Sequence, residues 1–524
     1  MDVADNAASG VGYFAYEKSQ LTPAVISNLT SYLEAQNNID SNAAIFDFAN
    51  ASDASLRKRH RGCKAYPGSA SWPSKVVWRL FDLFLGGSLI EGVPAAAVCY
   101  PDWPQYDEAK CADLGVSWTD PAWRAAQPTE VDWPVFEGMS CLPPGLGDFL
   151  SRPNSTCELG GMPAYVVNAT NVAQIQLAVN FARNLNIRLN IKNSGHDFNA
   201  KSTAGGSLSV WTLHLQDIEF LGSEYQSASG AKGPAFKVGA GITTKQIYDA
   251  AHERGLMVVG PIARQFTKWP EAGIWSYFSF ACENVVNCTF SMAPQVAPGL
   301  SKSQLEDHNA ALFANLSSLG ISVDDVSYNE YSGFMEMFDE QFPDTTNTAG
   351  YWYFHSTSRF FPERNWQSWD KFAAQSAAIR NTTQSRGSFT GYNSRPGVNS
   401  AVSQDNAVNP AWREALVFGM GNVVYGYNDT VEEMAAANKQ MVDAYAVWRD
   451  VSDGTYLNEA DINEPEWQQS FYGDNYDRLY DLKQKVDPWG VFYATGAVGS
   501  EDWYVTDQIE YFPMANGRLC PVGS

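Results

Sequence analysis

One stretch limits what this chain can fold into more than any other: Arg188-Leu189-Asn190-Ile191-Lys192-Asn193-Ser194-Gly195-His196-Asp197-Phe198 reads as a short strand running into a tight polar loop, with a histidine directly after a glycine. Upstream, Val172, Ile175, Val179 and Ala182 recur at three- and four-residue steps, which predicts an amphipathic helix from Thr170 to Leu185 with Asn168 and Thr170 as candidate caps. Downstream, Ser207 to Trp211 alternates like a half-buried strand. Helix, strand, glycine-containing loop and strand in that order leave the loop N–H groups outside any ladder, free to converge on an anionic ligand such as a pyrophosphate. Taken alone, His196 also fits a capped loop histidine without a ligand, because a single Gly-His pair is a weak signal.

The residues from Tyr165 to Leu215 closely resemble the FAD-binding loop of the vanillyl-alcohol oxidase / p-cresol methylhydroxylase superfamily, and within it the secreted berberine-bridge-like oxidases of fungi. The likeness begins near Cys63 and takes in Trp72-Pro73-Ser74, Gly92 to Pro101, Ser117-Trp118-Thr119-Asp120-Pro121 and Gly160 to Val167. It implies that His196 carries FAD covalently, its neutral imidazole adding to the methide form of the flavin 8α-methyl group, and that Lys192, Asn193, Ser194, Gly195, Asp197 and Ser202 of the same loop contact the cofactor. A second match covers Gly454 to Asp461, Trp467 to Gly473 and Leu482 to Pro488. There the resemblance implies a tail that returns to the flavin domain and sets Tyr456 and Asn458 of a Tyr-x-Asn motif beside the isoalloxazine. Asn458 would offer its amide to a flavin edge, and Tyr456, the expected catalytic residue, would orient or deprotonate a hydroxyl substrate. A free phenol titrates at about 10, so that role needs a neighbouring cation or the flavin itself. Tyr456 also fits plain sheet packing, and Glu459 and Asp461 read as outer or surface residues rather than catalytic ones.

The resulting fold class is α+β: a p-cresol-methylhydroxylase-type FAD-binding domain over 63–272, a substrate domain over 273–450 whose sheet is backed by helices, a returning berberine-bridge-like segment over 451–524, and a poorly defined amino-terminal extension over 1–62. Helical runs are expected from Val76 to Leu85, from Thr244 to Arg254 behind a Thr243 cap, from Leu300 to Leu319, and from Val431 to Trp448 behind Asp429-Thr430. Gly92 to Pro101 reads as extended, and strands are expected at Phe236 to Val238, Leu256 to Gly260, Ile321 to Val323 and Ala415 to Met420. Tyr351-Trp352-Tyr353 fits sheet core or an aromatic substrate wall equally. After Gly260 the chain departs from the family. It continues Pro261-Ile262-Ala263-Arg264-Gln265-Phe266-Thr267-Lys268-Trp269-Pro270, and by Phe278 it already resembles the substrate domain, so a segment on the order of a hundred residues of flavin domain is missing. A second, cysteinyl flavin bond is therefore not expected. The leading function is an oxidase that passes hydride from an alcohol, sugar or secondary metabolite to flavin and then to dioxygen. The alternative is a family member without redox chemistry, a template cyclase or binding protein with a degraded flavin site.

Composition narrows the partners. A formal charge of −23 argues against nucleic acid and anionic membranes, which select a basic face. No apolar run approaches the roughly 18 to 20 residues of a bilayer span. Eight cysteines and eight Asn-x-Ser/Thr sequons, at Asn28, Asn50, Asn154, Asn168, Asn287, Asn315, Asn381 and Asn428, point to the secretory pathway, although Met1 to Asn6 lacks a signal-peptide pattern. The cysteines fit disulfides better than zinc, with pairing left open. Six histidines are scattered without metal-ligand spacing, and no Gly-x-Ser-x-Gly elbow suggests a hydrolase. The expected partners are a small-molecule substrate and dioxygen, acting on a monomer.

Overall fold

The computed structural model describes residues 11–35, 42–48, 62–147, 149–226, 232–254, 269, 272–282, 288–318, 323–342, 349–386, 388–393 and 405–523. The first sheet is built from β1 (Leu89–Glu91), β2 (Tyr165–Asn168), β3 (Leu189–Lys192) and β4 (Leu208–Trp211) in the order β1-β2-β4-β3. Strands β2 and β3 both run parallel to β4, and β1 runs antiparallel to β2. A parallel return needs a crossover, and the helix α2 (Val172–Asn184) provides it, packing with α1 (Lys75–Phe84) on one face. Phe81 and Phe181 from these two helices stack at 4.0 Å. Three expectations shift here. The cap of α2 is Asn171, whose side chain accepts from the Gln174 N–H at 3.0 Å, because Asn168 still belongs to β2. All four residues of β4 are buried rather than alternating, as a strand flanked on both edges requires. Gly92 to Pro101 is not extended throughout: Ala95–Cys99 forms a 3-10 turn behind Pro94, and Cys99 is tied to Cys111. Leu21, Ile26 and Phe46, from the segment before Cys63, are buried in this same core.

Next come the hairpin of β5 (Ile218–Gln226) and β6 (Lys232–Val238) and the helix α3 (Thr244–His252), which Thr243 opens in a capping box with Gln246. The strand expected at Leu256 to Gly260 and the junction from Pro261 to Lys268 lie outside the described residues. A second sheet follows, with β7 (Trp275–Cys282), β8 (Cys288–Val296), β9 (Phe354–Pro362), β10 (Ser388–Asn393) and β11 (Ala415–Val424) ordered β8-β7-β10-β11-β9 and every pair antiparallel. Period-two alternation gives it two apolar faces. Phe361 and Val417 pack under α4 (Trp369–Arg386) and α5 (Val431–Ala444) with Phe389, Met441 and Trp448, while Phe360 and Phe418 turn the other way, towards Trp412, Tyr392 and Tyr456. Val323 is in no strand, and Ile321 and Ser322 lie outside the described residues. Tyr351 to Tyr353 precede β9, and Trp352 is buried against Phe149 in a core shared with the 130s and 140s rather than in a sheet.

The tail does return. Arg188 donates to the Ala515 carbonyl at 3.0 Å, Leu189 bridges to Phe492, and Cys63 is bonded to Cys520 beside the pair formed by β12 (Trp503–Val505) and β13 (Leu519–Pro521). The other disulfides are Cys141–Cys157 and Cys282–Cys288, which leaves no free cysteine. Among the described residues no helix is long and apolar enough to cross a membrane. Because Cys63–Cys520 closes nearly the whole chain and Cys282–Cys288 only a hairpin, the two bonds constrain the unfolded state very differently. Replacing Cys63 and Cys520 by serine should cost about 2–5 kcal/mol and lower the urea midpoint, whereas the Cys282/Cys288 pair should cost clearly less.

Candidate active site

The His196 loop rests on a floor made by residues 130 to 132. Gly195 has φ +95°, and a Cβ there would lie 3.1 Å from Val131 Cα and 3.3 Å from the Glu130 carbonyl oxygen, so only glycine fits. The Asp132 N–H donates to the Gly195 carbonyl at 3.0 Å. Arg124 grips this floor from below: its Nε donates to the Val131 carbonyl at 2.8 Å, its Nη2 donates to the same oxygen and lies 3.3 Å from Glu130 Oε2, and its guanidinium sits over the Trp118 ring. The Arg124 and Glu130 side chains are both fully buried. Lys192 props the loop by donating to the Ala125 and Gln127 carbonyls at 3.0 and 2.9 Å. Two cations thus share a dry volume with three carboxyl groups. Burial, then the neighbouring Glu130, holds the Glu137 carboxyl well above its usual range; burial also raises Asp132 and pulls the Lys192 ammonium down to about 8.

Above the floor the imidazole of His196 is exposed and makes no hydrogen bond to another described residue; its nearest ring neighbour is Phe198 at 5.7 Å. The N–H groups of Ser194 to Asp197 also have no acceptor among the described residues. By contrast, the Asp197 carboxylate is spent on the loop itself, accepting from the Asn199, Lys201 and Ser202 N–H groups at 3.2, 2.7 and 3.1 Å and from the Ser202 hydroxyl. Asn193 donates through its side chain to the Ala240 carbonyl. Of the residues expected at the cofactor, Lys192, Asp197 and Ser202 therefore shape and support the loop, while Ser194, Gly195 and His196 form its free edge.

The other side of the loop is held by the carboxyl-terminal turn. The Phe198 N–H donates to the Asn458 carbonyl at 3.1 Å, and Asn199 donates through its amide to the Leu457 carbonyl. Lys201 Nζ reaches the Leu457 carbonyl at 3.3 Å and Asn458 Oδ1 at 3.1 Å. Asn458 Nδ2 in turn donates to the Tyr456 hydroxyl at 3.0 Å. The Tyr456 ring packs against Phe418 of β11 and against Trp412 of the short helix Ala411–Glu414 that precedes it. The expected pair, Tyr456 and Asn458, is thus brought to the His196 loop, with Asn458 bridging to Tyr456 and Lys201.

Glu459 and Asp461 are not surface residues. The Glu459 N–H closes a turn onto the Tyr456 carbonyl at 3.0 Å, and burial pushes its carboxyl up to about 7 while its charge opposes ionisation of the Tyr392 phenol. Asp461 is buried and paired with His355 at 3.0 Å. Arg124, Asp132 and Glu459 carried no functional pattern in sequence. Lys201 alone had a usable signal, as the one cation that follows His196 within the same loop.

The FAD binding domain family matches residues 163–265, and the family described as Berberine and berberine like matches 455–499. The chain is similar to the VAO-type flavoprotein oxidase VAO615 of Thermothelomyces thermophilus, with 27% identity over 87% of this chain and 95% of the relative. It is similar also to the bifunctional decalin synthase calF of Penicillium decumbens, at 28% identity over 89% and 96%. Among solved structures, the VAO-type flavoprotein MtVAO615 from Myceliophthora thermophila C1 superposes with a TM-score of 0.74 at 25% identity, covering 88% of this chain and 100% of the other. The first alignment spans 565 positions yet takes in 87% of these 524 residues, about 456, so about 110 positions occupied in the relative have no counterpart here. The residues present fit an FAD: unpaired loop N–H groups at the free edge, the aromatic wall of Trp133, Phe198 and Phe354, and the buried, unpartnered Asp132 Oδ1, Trp133 Nε1 and Asn199 Oδ1 beside it.

Arg124→Met removes the only side-chain cation in contact with Glu130 among the described residues and two hydrogen bonds to Val131, and should destabilise the protein by about 3–5 kcal/mol, measured by chemical denaturation. A raised carboxyl means that the folded chain keeps a proton the unfolded chain releases, so the contribution of Glu459 to stability falls as pH rises from its ordinary 4.5 to about 7. Glu459→Gln should match the wild type near pH 4.5 and exceed it by up to about 3 kcal/mol at pH 8, read as a difference in thermal midpoint that grows with pH.

Proposed function

We propose that the chain is a VAO-type FAD-linked oxidoreductase that oxidises a small hydroxylated molecule, with FAD tethered to His196 and dioxygen as the final acceptor; the matches to the FAD binding domain and to the berberine-like family, and the likeness to VAO-type flavoproteins, support the reading. The observation that carries the reading is the imidazole itself: exposed, without a hydrogen-bond partner among the described residues, and mounted on a loop immobilised from both sides. Bound FAD supplies the two-electron acceptor, and the rest falls to the protein. The N–H groups of Ser194 to Asp197 hold the anionic part of the cofactor, as unpaired loop amides do. Trp133, Phe198 and Phe354 exclude water from the reacting face. Tyr456 orients the substrate oxygen, and Glu459, which changes protonation near neutral pH, takes or returns a proton at its carboxylate. Residues 273–450 supply the wall opposite the flavin domain, on whose open face Tyr392, Trp412 and Phe418 stand.

The same reading puts the protein in the secretory pathway. Four disulfides support it, as do the exposed side chains of the sequons at Asn154, Asn381 and Asn428; Asn168 is unsuited, because it ends β2 with its amide oxygen buried. The absent alignment positions favour one competing reading, a fold that keeps the pocket and has lost redox chemistry. Protein secreted from a fungal host should be yellow, and its flavin absorbance should stay with the acid-precipitated polypeptide. In His196→Ala any colour should move to the supernatant. A colourless wild type would favour the competing reading.

A further inference from the structure

The contact between the His196 loop and the Tyr456 turn has a direction. A lysine ammonium has three donors and no acceptor, so whatever faces Lys201 must be an acceptor. Lys201 Nζ has two such partners, the Leu457 carbonyl at 3.3 Å and one atom of the Asn458 side chain at 3.1 Å, which must be the amide oxygen Oδ1. The amide nitrogen is then turned to the Tyr456 hydroxyl, 3.0 Å away. An amide N–H can only donate, so the phenol oxygen is the acceptor in that bond and its own hydrogen points elsewhere. That hydrogen has no acceptor among the described residues, and the Tyr456 ring itself packs against the Trp412 and Phe418 rings. Were the amide reversed, Tyr456 would spend its hydrogen on Asn458 and show only lone pairs to a ligand.

We infer that Lys201 is a positioning residue that acts through Asn458 to fix Tyr456 as a hydrogen-bond donor, so that the site selects molecules with an acceptor oxygen, a carbonyl, ether or hydroxyl lone pair, next to the carbon to be oxidised. This rests on the reading that Tyr456 faces substrate. Two features support it. Lys201 forms no ion pair among the described residues, and its neighbouring carboxylate, Asp197, is committed to the backbone of its own loop. Its ammonium is therefore left to the Leu457 and Asn458 oxygens. Asn458 is in turn held through its main chain by the Phe198 N–H and through its side chain by Lys201 and Tyr456.

Neutron diffraction from deuterium-exchanged crystals of the holoprotein reads the direction without any substrate. The wild type and Lys201→Arg, which also only donates, should show both amide deuterons on the Asn458 nitrogen that faces Tyr456, and the Tyr456 deuteron turned away from Asn458. Lys201→Met should release the amide into the reversed or a mixed orientation. A Tyr456 deuteron aimed at Asn458 in the wild type, or an unchanged amide in Lys201→Met, would overturn the inference. If Lys201→Met does not fold, Asn458→Asp replaces the donor by an acceptor of the same shape and should draw the phenol hydrogen inwards. Benzaldehyde, an acceptor-only probe followed by the flavin absorbance change, should then bind about fivefold more weakly to Asn458→Asp, the loss of one hydrogen bond, and equally to Lys201→Arg and the wild type. Equal binding to Asn458→Asp and wild type, or binding to neither, counts against the inference. Failure of the oxidase reading shows separately, as colourless protein with the hydrogen directions intact.

Discussion

A guanidinium without solvent contact underlies the site. Arg124 holds the Val131 carbonyl and Glu130 in one place, and the strip they define is the surface on which Gly195 closes. An ion pair in a dry interior is costly to assemble and costlier to break by halves. Its use here is geometric, because the segment that carries it is a loop with no ladder to fix it. Lys192 is satisfied by two carbonyls, and burial holds the Glu137 carboxyl well above its usual range. The upper edge of the loop stays free for a ligand.

From the far side the tail completes the clamp. Bonds from Phe198, Asn199 and Lys201 meet the main chain and side chain of Leu457 and Asn458, and the Cys63–Cys520 bond keeps the end of the chain near its start. Tyr456 is thereby held through Asn458 to the His196 loop and packed against Phe418 of the second sheet at once. A site at such a seam draws its groups from both layers, so their relative position is set by the packing between them.

What could be read from the sequence follows the range of the interactions involved. The α2 helix, the His196 loop and β4 are declared by local periodicity and one glycine, and all three stand where expected, with only the cap moved from Asn168 or Thr170 to Asn171. Tyr456 and Asn458 became legible through resemblance, since nothing in a Tyr-x-Asn triplet says which loop it will meet. Arg124 and Glu459 were not legible, because each owes its role to burial that only the fold creates, and Lys201, visible as a lone cation after His196, meets partners far along the chain that its own segment does not announce. The break after Gly260 was read from a change of character at Pro261, and that junction lies outside the described residues.

One loop histidine, clamped from two sides and without a hydrogen-bond partner among the described residues, is the proposed point of cofactor attachment. Proteolytic mapping of natively secreted protein by mass spectrometry tests it most directly. The expected result is that the peptide containing His196 carries the added mass of FAD, localised by fragmentation to the imidazole. An unmodified His196 peptide from protein that retains no flavin elsewhere would contradict the account.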